Sequence, residues 1–232
     1  MNSYMEQVKA TALAEAQKAY MVKVYGWMVG GLLSTGIIGG IIGSDPSLVS
    51  MMMNYYWLFL IAEFGLVIAL AGFIHKMSVP VAVISFLAYS VLNGITLSSL
   101  LLVYSENAVL NAFLTTSGMF AAMSVYGMVT KKDLSSWGSF FFMGLIGIII
   151  ASIVNMFLAS SAMSFAISII GVLVFTGLTA YDTQKIKESA DLELQGSDLA
   201  AKGAILGALT LYLDFINLFL FILRLFGGSN DD

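Results

Sequence analysis

Apolar residues run through this chain in long unbroken blocks, not at the 3.6-residue spacing of a surface helix or the alternation of a half-buried strand. A helix that crosses a bilayer needs about 20 mostly apolar residues. Seven windows supply them: residues 21–43, 55–75, 79–103, 107–129, 137–158, 163–183 and 203–226. We number these windows as spans 1 to 7. In hydrocarbon only helices and closed barrels satisfy every backbone group, and blocks of this length predict helices. The pattern therefore predicts an all-α integral membrane protein of seven transmembrane helices. No connector is long enough to fold separately. The expected organisation is a leading segment, 1–20, a membrane domain, 21–226, and a short tail, 227–232. Residues 2–20 place Tyr4, Val8, Leu13 and several alanines between charges, which predicts a short surface helix or a disordered lead into span 1.

Composition agrees. Of the 232 residues, 59% are hydrophobic and 10% are charged, against about 25% charged in soluble domains. Cysteine is absent, which excludes disulfides, thiolate metal sites and cysteine nucleophiles. The single histidine, His75, excludes a histidine-rich metal cluster, and no cofactor is expected. The net charge of −4 comes with no basic stripe, so nucleic acid is not an expected partner. The first 20 residues lack the pattern of a cleavable signal peptide. The 14 methionines, Met51, Met52 and Met53 among them, read as lipid-facing or packing residues. Tyr55, Tyr56 and Trp57 read as an interfacial aromatic belt.

Charge sets an orientation. Lys9, Lys18 and Lys23 precede or open span 1, Lys76 follows span 2, Lys131 and Lys132 follow span 4, and Lys185, Lys187 and Lys202 lie between spans 6 and 7. In a seven-span count all of these fall on one side. The opposite connectors, 44–54, 104–106 and 159–162, hold no lysine or arginine, and only Arg224 falls with them. Positive loops stay in the cytoplasm, so the N-terminus is expected inside and the C-terminus outside. A re-entrant span 7 would return Arg224 to the cytoplasm. The compact chain and bare loops point to a bacterial cytoplasmic membrane.

Ionisable residues inside a span are site candidates. Three acids qualify: Glu63 in span 2, Asp182 near the cytoplasmic end of span 6, and Asp214 in span 7, with no lysine or arginine at mid-span to pair with them. Such acids must hold a proton, share one, bind a cation or meet water. On a helix, Gly203, Gly207, Thr210 and Asp214 share one stripe, and Gly171, Phe175, Thr179 and Asp182 share another. Gly203 and Gly207 form a G-x-x-x-G pair that admits a neighbouring helix closely. Spans 6 and 7 are consecutive and expected to pack antiparallel, so Asp182 and Asp214 can face each other. A facing pair titrates as one unit and offers oxygen ligands to a hard cation such as Ca²⁺. Depth argues against contact. Asp182 is about 5 Å and Asp214 about 16 Å from the lysine edge at 1.5 Å per residue, so contact requires span 7 to sit lower or begin before Gly203. The alternative is that each acid separately bonds a neighbouring helix as polar glue. His75 and Lys76 read most simply as a solvated edge.

The run Gly177-Leu178-Thr179-Ala180-Tyr181-Asp182-Thr183-Gln184-Lys185-Ile186-Lys187 resembles the signature of the transmembrane Bax inhibitor motif family, the Bax inhibitor-1-like proteins. Tyr20–Met28, Glu63, Asn93-Gly94-Ile95 and Leu211-Tyr212-Leu213-Asp214-Phe215-Ile216-Asn217-Leu218-Phe219 are similar to the family along most of the chain. The resemblance implies seven helices with helix 7 central. It further implies a pH-sensitive Ca²⁺ leak in which Asp182 and Asp214 form the gate and proton sensor, and hold Ca²⁺ transiently. Glu63, His75, Lys76, Tyr181 and Asn217 are accessory candidates. The expected partners are the lipid bilayer, Ca²⁺ as permeant ion, protons, and another membrane protein. The chain departs from the family in one respect: span 2 has no arginine to latch the span 6 aspartate, and His75 and Lys76 are the nearest cations. The connector carrying Glu188, Asp191, Glu193 and Asp198 is acidic and reads as a solvated loop.

Two other functions stay open. One is a non-conducting regulator that binds another membrane protein, such as a membrane-bound protease. The other is an intramembrane aspartyl protease, for which Tyr181-Asp182 fits. Asp214 lacks the Gly-x-Gly before it, however, and neither Pro46 nor Pro80 is followed by Ala-Leu. A proton-coupled transporter would show inverted repeats and proline-broken helices, which are not evident. No enzymatic activity is expected.

Overall fold

A computed structural model describes residues 2–191 and 196–227. Glu193 of the acidic connector and 228–232, most of the tail, lie outside the described residues. Nine α-helices occur among the described residues: α1 Asn2–Gly43, α2 Pro46–Met53, α3 Tyr56–Phe73, α4 Val79–Leu97, α5 Leu100–Val103, α6 Glu106–Val129, α7 Ser135–Leu158, α8 Ser161–Glu188 and α9 Ser197–Gly227. Short 3-10 turns cover Ile74–Lys76 and Ser189–Asp191. Seven helical stretches are long and apolar enough to cross a membrane. Trp57, Ile61, Phe64, Met156 and Phe157 are each at least 69% exposed. Apolar exposure on that scale suits a lipid-facing surface and not water. The protein is a multi-pass, all-helical membrane protein.

The lead 2–20 is helical. It runs unbroken into span 1 as α1, whose 42 residues extend about 63 Å, roughly twice the hydrocarbon thickness. Alanine, glutamate, glutamine and lysine dominate the lead, and no glycine or proline interrupts it before Gly26. The connector after span 1 holds a helix that the hydrophobic blocks do not reveal. Asp45 caps α2 by accepting a 2.8 Å bond from the Ser47 N–H, with Pro46 in the first helical turn. Span 3 is split. The Ser98 and Ser99 hydroxyls bond the carbonyl oxygens of Ile95 (2.6 Å) and Thr96 (2.7 Å), and α4 ends at Leu97 before the short α5. Spans 6 and 7 are longer than expected, reaching Glu188 and starting at Ser197. α9 buries 72% of its apolar window where α7 buries 6%.

The chain divides into two compact units: Met1–Val103 with Ile186–Tyr212, and Tyr104–Lys185 with Leu213–Asp232. In the first unit α1 and α4 approach through small residues. A Cβ on Gly94 would lie 2.7 Å from the Thr35 carbonyl oxygen, and one on Gly31 2.7 Å from the Phe86 ring. Gly207 of the predicted G-x-x-x-G pair faces Ile186 and Val24. In the second unit Phe215 of α9 meets Phe113 and Phe120 of α6 edge-on, at centroid distances of 5.7 and 5.5 Å.

Candidate functional site

The second unit brings Asp182 and Asp214 together, and their carboxyl groups are hydrogen-bonded. α9 begins at Ser197, before Gly203, which meets the condition set for contact between the two acids. The register of the two helices agrees. Phe175 lies seven residues before Asp182, Phe221 lies seven after Asp214, and their rings pack at 5.8 Å. Gly171, one turn further along α8, has its open face filled by the Phe221 ring. The stripe Gly171, Phe175, Asp182 is thus the face of α8 that meets α9 in antiparallel order.

A carboxylate only accepts hydrogen bonds, so a bond between two carboxyl groups requires a proton on one of them. Asp214 is 5% exposed, and its Oδ2 is buried with no hydrogen-bond partner among the described residues. A bond within the pair therefore takes at least one proton, and Asp214 Oδ2 faces no donor among the described residues. Among the described residues no three His, Cys, Asp or Glu side chains cluster. Ca²⁺ takes six to eight oxygens, more than two carboxylates offer.

The turn that carries Asp182 is fixed by its neighbours. A Cβ on Gly127 of α6 would lie 2.3 Å from the Ala180 carbonyl oxygen, and one on Gly138 of α7 would lie 2.4 Å from the Tyr181 ring. The Thr183 hydroxyl donates to the Ser124 hydroxyl at 3.4 Å. Gln184 reaches the α6–α7 connector: its Oε1 accepts from the Leu134 N–H and its Nε2 donates to the Lys132 carbonyl, both at 2.9 Å. In the same connector Asp133 accepts from the Ser135 N–H at 2.8 Å. Hydrogen bonds from the Ser135 hydroxyl and then its backbone hold the Asp133 carboxyl below the ordinary range. Residues 180–184 are therefore held by α6, α7 and their connector.

The accessory candidates separate. Tyr181 stacks on Gly138 beside the pair. Asn217, one turn beyond Asp214, donates to the Leu213 carbonyl at 2.8 Å. Glu63, His75 and Lys76 belong to the first unit. His75 and Lys76 are exposed on the 3-10 turn, and the Lys76 ammonium sits 5.6 Å from the Phe73 ring centre. Glu63 has built partners in α4: its Oε1 accepts from the Thr96 hydroxyl at 2.9 Å, and its Oε2 accepts from Asn93 Nδ2 at 3.4 Å. The sequence reading missed Gln184, Gly127, Gly138 and Thr96. A polar residue two positions after Asp182 was a signal for Gln184. Nothing local marked the glycines, whose partners lie on other helices.

Comparison with known proteins adds an independent line. The sequence model of the family described as "Inhibitor of apoptosis-promoting Bax1" matches residues 17–231. The inner membrane protein YbhL of Escherichia coli is 47% identical over 177 residues, covering 75% of this chain and 76% of that protein. An uncharacterized protein of Borreliella burgdorferi is 41% identical over 216 residues, covering 92% and 93%. An uncharacterized membrane protein of Streptococcus pyogenes is 44% identical over 140 residues, covering 60% of each chain.

Proposed function

This chain belongs to the Bax1 inhibitor family of multi-pass membrane proteins, and from that premise we propose that it is a pH-sensitive Ca²⁺ leak channel gated by Asp182 and Asp214. The observation that carries the reading is the hydrogen-bonded carboxyl pair, with Asp214 Oδ2 buried and unpartnered. The bond holds α8 to α9 while the pair keeps at least one proton. When that proton leaves, two like charges about 4 Å apart repel by about 4 kcal/mol at an effective dielectric of about 20. That shifts a closed–open equilibrium by roughly a thousandfold. The freed carboxylates then face a cation with oxygen ligands alone, which suits Ca²⁺ as cargo. The clamped turn 180–184 keeps Asp182 in place, so opening moves the Asp214 side of the contact. The reading assigns no catalytic step.

The relative named as an inner membrane protein supports placing this chain in a bacterial inner membrane. The lysine distribution supports an N-terminus in the cytoplasm.

The test is Ca²⁺ flux into liposomes holding the purified protein, between about pH 6 and about pH 8, beside Asp182→Asn and Asp214→Asn. An asparagine amide donates to the remaining carboxylate without needing a proton. Wild-type flux is expected to be lowest where the pair keeps a proton and to rise with pH as the last proton leaves. Both variants are expected to show low flux that no longer follows pH. No flux above empty liposomes at any pH overturns the channel and leaves the non-conducting regulator.

A further inference from the structure

The Glu63 network in the first unit takes no part in the gate described above, and its chemistry is incomplete. The short hydrogen bond at Glu63, 2.9 Å, is donated by the Thr96 hydroxyl, which also lies within reach of the Asn93 and Leu92 carbonyls. That arrangement suits an ionised carboxylate, which only accepts. Glu63 is 8% exposed, and no lysine, arginine or histidine pairs with it among the described residues. The titratable groups that face it from neighbouring helices are Tyr89 of α4 and Tyr212 of α9, both neutral phenols. An isolated buried charge is costly. This one has no counter-charge among the described residues.

Asn93 carries the second, independent sign. It is 7% exposed, and its Oδ1 is buried without any donor. Its Nδ2 contacts are long, 3.4 Å to Glu63 Oε2 and 3.3 Å to the Tyr89 hydroxyl. Amide orientation is an assignment from the network. Turning the amide over places Oδ1 against Glu63 Oε2 and the Tyr89 oxygen. Oxygens of Glu63, Asn93, Tyr89 and Thr96 then converge with positive charge as the missing component.

We propose that Glu63, Asn93, Thr96 and Tyr89 form a second cation site, which takes one monovalent alkali cation of the sodium class. Only oxygen donors are present, which selects a hard cation over a transition metal. One carboxylate and one monovalent ion cancel in a low-dielectric surrounding. A divalent ion leaves a net positive charge there and needs more oxygens than these residues offer. The site shares no residue with the aspartate pair and stands or falls independently of the Ca²⁺ leak.

The experiment is thermal unfolding of the full chain in detergent, in sodium chloride against choline chloride at equal ionic strength. A ligand that binds only the folded state raises its midpoint. The wild type is expected to gain at least about 2 °C in sodium. Glu63→Gln and Thr96→Val are expected to lose the gain, while Asp182→Asn keeps it. The sodium NMR line width of the wild type provides a second reading that needs no variant to fold. It is expected to exceed that of protein-free micelles and to stay so when choline is added. Equal midpoints in sodium and choline, or a sodium gain that survives in Glu63→Gln, overturn the proposal. So does an infrared band of a protonated carboxyl that sodium leaves unchanged and Glu63→Gln removes, because the occupant is then a proton.

Discussion

Gly127 and Gly138 act through the side chain each lacks. The Ala180 carbonyl and the Tyr181 ring occupy the space where their Cβ atoms would stand. A backbone carbonyl cannot swing away as a flexible side chain can. Gly127→Val is therefore expected to destabilise by about 1–3 kcal/mol, read as a lowered unfolding midpoint in detergent. Gln184→Leu tests the other side of the same turn. It leaves the Leu134 N–H and the Lys132 carbonyl without their partner, a loss of about 1–3 kcal/mol. Lys131 and Lys132 are already exposed, and a loosened connector lets the backbone there enter a protease, so trypsin is expected to cut faster than in the wild type. Unchanged cleavage would mean that Gln184 does not hold the connector. The acids themselves were legible in the sequence, because a carboxyl in an apolar block is anomalous wherever it points. Gly127, Gly138 and Thr96 were not, because their meaning lies in which atom of another helix comes near, and periodicity along one helix carries no such information.

Helices were legible where hydrophobic length alone decides them, and all seven spans are present. Their ends were less so. The start of α9 at Ser197 is set by polar residues outside the apolar block. The cap on α2 had a local signal in Asp45-Pro46 that the search for long apolar runs passed over. The break in span 3 comes from two serine hydroxyls bonding back to the helix, and apolar windows do not register it. The register of α8 and α9 is testable through Gly171. A leucine there occupies the space of the Phe221 ring and pushes the two helices apart two to three turns from the aspartates. Gly171→Leu is expected to destabilise by about 1–3 kcal/mol. It is also expected to raise Ca²⁺ flux where the wild type is closed, since the helices that the proton joins are already separated. Flux equal to wild type in a variant of lowered midpoint would uncouple this packing from the gate.

Across the whole chain, the lysine pattern and the helix pattern constrain each other. Nine lysines fall on one side of a seven-span count and Arg224 alone on the other, and adding or removing one crossing scrambles that division. The unbroken course of α9 to Gly227 gives about 46 Å of helix, enough to cross, and no turn within it would bring Arg224 back. The absence of cysteine makes the arrangement directly testable, because any introduced cysteine is the only thiol in the chain. Ser50→Cys and Glu106→Cys place thiols at exposed positions in and beside the lysine-free connectors. Lys131→Cys and Ser197→Cys place them on the lysine side. In intact cells stripped of their outer membrane, a membrane-impermeant maleimide is expected to label Ser50→Cys and Glu106→Cys, and to reach Lys131→Cys and Ser197→Cys only after lysis. Complete reversal of the two sets keeps seven spans and inverts the orientation, putting the Asp182 end of the gate outside. Different behaviour within either set breaks the count itself. The aspartate contact would then have to be rebuilt from a different pairing of helix directions, since Phe175 and Phe221 meet only if α8 and α9 run antiparallel.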